Sequence, residues 1–193
     1  MLARHSLNAL ILAGGIAVVS LAATQTVTAA EPFTLKSSAF NDGTPLQTKN
    51  AGDLKKNPNC IGDSISPPLQ WENAPAGTKS YAITMRDLTG EMGLGTVHWL
   101  AYGIPASVTE LKEGEASKPS DKFVGGLNIR KTQVYYGPCP PPNTTWHHYL
   151  FTLIATDLDP KELKPGLTID EFLAALKGHN KGATELVGLF KHP

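Results

Sequence analysis

The sequence predicts a mainly β domain, an antiparallel two-sheet β-sandwich with a few peripheral helices. Residues 81–87 alternate between two faces, with Tyr81 and Asp87 on the same face, which is typical of a strand. Residues 97–102 form a second apolar segment, stopped by a Gly-Ile-Pro sequence. Residues 147–155 are apolar on both faces, which favours a central strand. Predicted strands outnumber helices, as in a β-sandwich.

The segments between these strands are rich in turn-forming residues. Residues 31–56 combine a short candidate strand at Phe33 with several turns, which indicates short edge strands. Residues 57–68 are rich in Asn, Pro, Gly and Ser, so we expect an ordered connector that enters a strand near Trp71. Residues 106–135 form a long irregular excursion, and loops of that length usually have a function or contain short elements.

The clearest helix begins near the C-terminus, after Thr168. Thr168 and Glu171 have the spacing of a capping box, in which each side chain accepts a hydrogen bond from the other residue's backbone. The helix ends before Gly178, and its apolar positions predict one face against the core. These positions are Ile169, Phe172, Leu173 and Leu176.

The N-terminus reads as a secretory signal peptide. Arg4 and His5 precede an apolar block over residues 7–23, and small residues follow up to Ala30. A retained membrane anchor is the alternative, but the block is slightly shorter than the roughly 20 residues that a spanning helix needs. We expect cleavage near Ala30, a periplasmic or secreted protein, and no transmembrane segment after cleavage.

The predicted mature chain, residues 31–193, is nearly neutral. Residues 1–30 contain one of the 17 Lys and Arg residues and none of the 17 Asp and Glu residues, so 16 cations face 17 anions. Nucleic-acid sites and anionic membrane surfaces need clustered Lys and Arg, so neither partner is expected. The chain is long enough for one domain with a single sizeable core, and a second domain is not expected.

The two cysteines predict an intrachain disulfide. Cys60 and Cys139 form an even pair in a chain that is expected to reach an oxidising compartment. They lie 79 residues apart, and closing such a loop stabilises by up to about 4 kcal/mol in the chain-entropy model. Two buried free thiols are the alternative. The sequence contains no CxxC motif, which argues against catalytic disulfide exchange.

Four polar side chains are predicted to lie at one sheet edge. If the first two strands pair as a hairpin, Asp87 ends one strand and His98 begins the other. His147 follows a proline-rich loop over residues 136–142 and joins them if its strand begins at the same edge. The two-residue period of a strand puts Tyr149 on the face of His147, while His148 points the opposite way and is expected to pack or hydrogen-bond behind the site.

The chain resembles the phosphatidylethanolamine-binding protein family, most closely its bacterial branch similar to Raf kinase inhibitor protein. The resemblance covers nearly all of the predicted mature chain in the family's order. It rests on Leu69-Gln70-Trp71, residues 75–81, Asp87, His98-Trp99, residues 137–141 with His147 and Tyr149, and residues 185–190.

The resemblance implies a small anion pocket at one end of a two-sheet β fold. Imidazole, phenol and backbone N–H groups suit a phosphate monoester or a phospholipid head group such as phosphoethanolamine. Asp87 could meet an ammonium or orient a histidine, and the sequence leaves both roles open. The implied protein is not an enzyme, has no cofactor or metal, and could modulate a partner such as a kinase or protease. Its implied ligand residues are Asp87, His98, Gly137, Cys139, Pro140, His147 and Tyr149.

The chain departs from the family pattern at three places near this pocket. Leu88 and Thr89 stand where the family often has Pro and Asp, which removes a carboxylate and a rigid residue. Thr96 stands where an aromatic residue is common, so one stacking wall is missing. His148 stands where arginine is usual, with the loss of a permanent charge.

Two enzymatic readings compete with the binding hypothesis. Asp87, His98 and His147 could form a metal site with two histidines and one carboxylate, although no HxxxH or HExxH pair supports it. Gly62-Asp63-Ser64 resembles the start of an esterase motif, which would make Ser64 a nucleophile. The later Asp-x-x-His of such esterases is missing from the sequence.

Overall fold

The computed structural model describes residues 31–193, and the predicted signal peptide lies outside the described residues. The strands are β1 (Thr34–Lys36), β2 (Thr44–Pro45), β3 (Leu69–Glu72), β4 (Ser80–Asp87), β5 (Thr96–Pro105), β6 (Glu110–Leu111), β7 (Val124–Gly125), β8 (His147–Thr156) and β9 (Asn180–Phe190). The helices are α1 (Gly90–Gly93), α2 (Ile169–Leu176) and the 3₁₀ turns Thr48–Asn50 and Glu115–Ser117. Within residues 31–193, no helix has the length and apolar character needed to cross a membrane.

These strands form two sheets, which confirms the predicted fold class. The larger sheet has the order β2-β9-β8-β4-β5-β7, and the smaller sheet has the order β1-β3-β6. Their pairs are antiparallel except for β2 and β9, where Thr44 lies opposite Gly188 in a parallel pair. The predicted central strand, β8, lies between β9 and β4.

The larger sheet is covered on both faces. Tyr81, Ile83 and Met85 of β4 pack with Trp71 of β3 in the core between the sheets. On the opposite face, a second core joins the sheet to Phe172 and other side chains of α2. Because both faces are buried, the central strands are apolar at consecutive positions rather than at alternate ones.

Helix α2 has the predicted cap but a narrower buried face. The Thr168 hydroxyl accepts a hydrogen bond from the Glu171 backbone N–H, and the Glu171 carboxylate accepts one from the Thr168 N–H. Phe172 and Leu176 are buried, whereas Leu173 is exposed. The prediction that Leu173 faces the core is therefore wrong, because the eight-residue helix buries only one narrow stripe.

Two elements differ from the sequence-based expectation. Strand β5 continues through Gly103, whose φ of +63° accommodates a bulge, so Tyr81 pairs with Ile104 and Ile83 with Ala101. The long strand β9 was not predicted, because its glycines and charged residues weaken the alternating pattern. The excursion over residues 106–135 contains the short elements expected of a loop of that length: β6, β7 and a 3₁₀ turn.

Candidate functional site

A polar cavity of about 320 Å³ opens where β4, β5 and β8 meet the proline-rich loop. Two larger surface clefts in the described part of the chain, of about 510 and 560 Å³, contain no histidine or carboxylate. The polar cavity brings together two histidines and two carboxylates, which neither cleft does. Six of the seven predicted ligand residues line it: Asp87, His98, Cys139, Pro140, His147 and Tyr149.

Strand register brings these side chains together. Asp87 lies opposite Tyr149 in β8 and opposite Thr96 in β5. The pairing of β4 with β5 then shifts by one residue, which leaves His98 as the extra residue of a bulge. Strict alternation would put His98 and Trp99 on opposite faces. With the bulge, Trp99 packs in the core between the sheets while His98 lines the cavity.

Asp87 is a buried carboxylate with four hydrogen bonds. Its Oδ2 accepts from Nδ1 of His147 at 2.8 Å. Its Oδ1 accepts from the Thr89 N–H at 2.9 Å, the Thr89 hydroxyl at 2.8 Å and the Gly90 N–H at 3.1 Å. Burial raises the pKa of Asp87, but the bonds from His147 and Thr89 together hold it below its ordinary value. Asp87 thus orients His147 and anchors the loop after β4.

His98 is held by the proline-rich loop. Its Nδ1 donates to the carbonyl of Tyr136 at 3.0 Å, and the two rings stack with centroids 5.7 Å apart. The guanidinium of Arg130 lies 5.0 Å from the centre of the Tyr136 ring. Burial lowers the pKa of His98, and the Tyr136 carbonyl and the charge of Asp87 offset only part of this effect. The imidazole is therefore neutral near pH 7, and its Nε2 carries a lone pair.

Tyr149 contributes a buried hydroxyl without a partner. Its side chain is fully buried, lines the cavity, and finds no hydrogen-bond partner for its oxygen among the described residues. Burial and the nearby Asp87 carboxylate raise the pKa of Tyr149, so the phenol keeps its proton. Buried hydroxyls are normally satisfied. An unsatisfied donor on the cavity wall is therefore a group that a ligand could use.

The disulfide fixes the proline-rich loop. Cys60 and Cys139 are bonded, as predicted, and the Tyr136 hydroxyl lies 3.2 and 3.1 Å from their sulfur atoms. The carbonyl of Pro138 accepts a hydrogen bond from the Gly52 N–H at 2.8 Å. These contacts hold the loop against residues 50–52 without a ligand.

Gly137 lies behind the cavity rather than on its wall. A Cβ atom there would collide with the backbone of Asn50 and Ala51. Its role in this structure is the close approach of two backbone segments, which only glycine allows.

Two other predicted side chains do not join the site. His148 is exposed, so the expectation that it packs or hydrogen-bonds behind the pocket is wrong: at this end of β8, its face meets solvent. Ser64 lies next to Asp53, to which its hydroxyl donates, and makes no hydrogen bond to a histidine in residues 31–193. The same residues contain no cluster of three His, Cys, Asp or Glu side chains suited to a metal ion. In the described residues, Asp87, His98 and His147 are not grouped as such a cluster.

The sequence argument missed several residues around the cavity. Tyr136 begins the proline-rich loop and received no role from the sequence, although it stacks on His98. Arg130 lies in the long excursion that was read as irregular. Glu91 and Ile129 also line the cavity, and their positions depend on loop conformations that no periodic pattern reveals.

The fold and the site define a two-sheet β protein with a preformed polar cavity at the ends of its central strands. Residues 36–191 match the family described as phosphatidylethanolamine-binding protein. The chain belongs to this family, and the sequence-based resemblance is confirmed.

Similar proteins come from bacteria and archaea. A UPF0098 protein of Methanothermobacter thermautotrophicus is 36% identical over 159 residues, which cover 81% of this chain and 97% of that protein. LppC of Mycobacterium tuberculosis, named as a lipoprotein, is 33% identical over 172 residues, covering 88% of this chain and 77% of LppC. The crystal structure of Escherichia coli YbcL, described as a member of the mammalian PEBP family, superposes with a TM-score of 0.74 at 27% identity. That match covers 82% of this chain and 98% of YbcL.

Proposed function

We propose that the cavity binds a small phosphate-bearing anion, either a free phosphate monoester or a phospholipid head group such as phosphoethanolamine. Family membership supports anion binding in general. The observation that carries the proposal is the set of polar groups that face the cavity. The Nδ1 atoms of His98 and His147 are both engaged, which leaves the Nε2 atom of each ring for a ligand, beside the unpartnered Tyr149 hydroxyl. A ring whose proton is held at Nδ1 donates from Nε2 to an anion once it has gained a second proton.

The Asp87 carboxylate is not the group that meets a ligand ammonium in this proposal. Both of its oxygens already accept hydrogen bonds from His147 and the loop. Glu91, which lines the cavity and is exposed, is the carboxylate that remains available. A zwitterionic head group would place its phosphate between the histidines and its ammonium near Glu91, where opposite charges attract.

The site binds rather than catalyses in this proposal. Family relatives such as the UPF0098 proteins carry no enzymatic name. Ser64 has an aspartate neighbour but no histidine within hydrogen-bond reach in the described residues, so it lacks the base that activates a serine nucleophile. Turnover of a p-nitrophenyl ester that disappears in Ser64→Ala would contradict this part of the proposal.

We propose that the domain over residues 31–193 acts after export to the periplasm or the extracellular space. The disulfide and the lipoprotein name of LppC support export. The proposal extends to modulation of a protein partner, such as a kinase or protease, through the same cavity. Mass spectrometry of the N-terminus tests export, and a pull-down that phosphoethanolamine competes away tests the partner.

Histidine NMR signals test the binding proposal directly. Phosphate and phosphoethanolamine at millimolar concentration should shift the imidazole signals of His98 and His147. The adjacent His148 is the matched control, since it is exposed and points away from the cavity. His147→Gln should abolish the shift at His98, whereas His148→Gln should preserve it. Unmoved signals at His98 and His147 would refute anion binding in this cavity.

A further inference from the structure

Exposed apolar side chains occur in the segments that form the cavity. Six large hydrophobic side chains in the described residues are exposed, and five of them line the cavity or lie close in sequence to residues that line it. The sixth, Leu173, lies on α2. We call the five the apolar rim: Leu88, Met92, Leu94, Ile129 and Trp146.

The loop between β4 and β5 supplies the most exposed part of the apolar rim. Met92 is 97% exposed and Leu94 is 81% exposed, while Gly90 and Glu91 of the same loop line the cavity. Glu91 and Met92 both have left-handed φ angles, +49° and +58°, which non-glycine residues rarely adopt. The hydrogen bonds from Gly90 and Thr89 to Asp87 hold the beginning of this loop. The anchored loop presents its aliphatic side chains beside the polar site.

The residue before β8 is the aromatic member of the apolar rim. Trp146 immediately precedes His147 and is 39% exposed. The ammonium of Lys191 lies 5.0 Å from the centre of its ring. A tryptophan beside a lysine matches the membrane interface, where the ring contacts the apolar boundary and the ammonium remains among head groups.

We propose that the apolar rim docks on a zwitterionic phospholipid surface while the cavity takes up one head group. This inference rests on the proposed head-group function. A head group in the cavity stays attached to its acyl chains, so the residues around the mouth meet the interface of the bilayer. The near balance of 16 cations and 17 anions favours a zwitterionic surface, because anionic membranes recruit proteins through clustered Lys and Arg.

Vesicle co-sedimentation with matched variants tests this docking surface. The probes are phosphatidylcholine vesicles with and without phosphatidylethanolamine, and mass spectrometry confirms the same N-terminus in every variant. Met92→Ser with Leu94→Ser should weaken vesicle binding by about tenfold or more, the size expected when large aliphatic side chains no longer leave water. Leu173→Ser removes a half-exposed leucine of α2, outside the loop between β4 and β5, and should leave binding unchanged.

Brominated lipids give a second readout at Trp146. Trp71 and Trp99 are buried, so quenching of tryptophan fluorescence by the lipid should come from Trp146 and should vanish in Trp146→Phe. The docking proposal would be refuted if the wild-type protein bound neither vesicle type, or if the Met92→Ser, Leu94→Ser variant bound vesicles as tightly as the wild type.

Soluble phosphoethanolamine separates this inference from the function on which it rests. The Met92→Ser, Leu94→Ser variant should still show the His98 and His147 shifts, because its substitutions lie outside the cavity wall. Head-group shifts without vesicle binding would refute docking alone. Vesicle binding that depends on the rim, without head-group shifts, would refute the cavity function and leave a purely apolar membrane contact.

Discussion

The affinity of the cavity for sulfate should increase as the pH falls, because His98 must gain a proton before it can donate to an anion. Burial lowers the pKa of His98 in the ligand-free protein, and its Nδ1 proton is already donated to Tyr136. The neutral ring therefore turns a lone pair at Nε2 towards the cavity, and this lone pair repels an anionic oxygen. Protonation converts Nε2 into a charged donor.

The expected magnitude follows from proton linkage. Uptake of one proton on binding changes the dissociation constant tenfold per pH unit, which equals about 1.4 kcal/mol. Between about pH 7.5 and pH 5.5, the sulfate affinity should therefore increase by up to about 100-fold. This dependence of affinity on pH holds above the lowered pKa of His98 in the ligand-free protein. Below that pKa it disappears, because His98 is already protonated before the ligand binds. Sulfate is the ligand of choice because it does not titrate in this range, whereas phosphate does.

Isothermal titration calorimetry in two buffers of different ionisation enthalpy measures both the affinity and the protons taken up. His98→Gln keeps a neutral donor but cannot gain a proton, so its sulfate affinity should be lower and should lose the part of the pH dependence that His98 supplies. His148 is exposed, and His148→Gln is the control that should retain the full slope. A pH-independent affinity in the wild type, or an unchanged slope in His98→Gln, would refute the reasoning.

Three further predictions concern stability and the donor set. Tyr149→Phe should leave the ligand-free free energy of unfolding unchanged or raise it by about 1 kcal/mol, because the lost hydroxyl has no partner, yet should weaken sulfate binding about tenfold; marked destabilisation in urea would contradict this. Asp87→Asn should lower the free energy of unfolding by about 1–3 kcal/mol at neutral pH. Because the folded protein lowers the pKa of Asp87, the wild type should have this extra stability above pH 3.8, the ordinary pKa of the unfolded chain, and should lose it as the pH falls through the folded pKa. A difference in urea unfolding between variant and wild type that stays constant into acid would argue against this role of Asp87. The unreduced protein should weigh two hydrogens less than its thiol form, and reduction of the Cys60–Cys139 bond should lower the free energy of unfolding by up to about 4 kcal/mol; free thiols in the native protein would reject the bridge.

The site was predictable where strand pattern and register follow simple rules. Alternation put His147 and Tyr149 on one face, and the hairpin argument put Asp87 at the same edge as His98. The sequence did not reveal the bulge at His98, because an extra residue in one strand interrupts the two-residue period without any distinctive residue type. The roles of Tyr136, which stacks on His98, and of Arg130, which lies over the Tyr136 ring, were not revealed either, because both residues are far from β5 in sequence.

The role of Asp87 shows what contacts add to sequence. From the chain alone, this carboxylate could orient a histidine or meet an ammonium. In the structure, Asp87 accepts four hydrogen bonds, which occupy both of its oxygens and connect it to His147 and to the loop after β4. The same contacts make Glu91 the free carboxylate at the cavity, although nothing in the sequence distinguishes it from other surface acids.

The sequence by itself determined the mainly β fold, the pairing of Cys60 with Cys139, the capped helix and most of the cavity residues. These features depend on local periodicity, on capping chemistry, on an even cysteine count and on motifs that resemble a known family. Only the tertiary structure decided the long strand β9, the unpartnered Tyr149 hydroxyl, the close backbone approach at Gly137 and the exposure of the apolar rim. Each of these depends on which atoms meet across distant segments, and burial and hydrogen-bond satisfaction are properties of the packed chain rather than of any stretch of it.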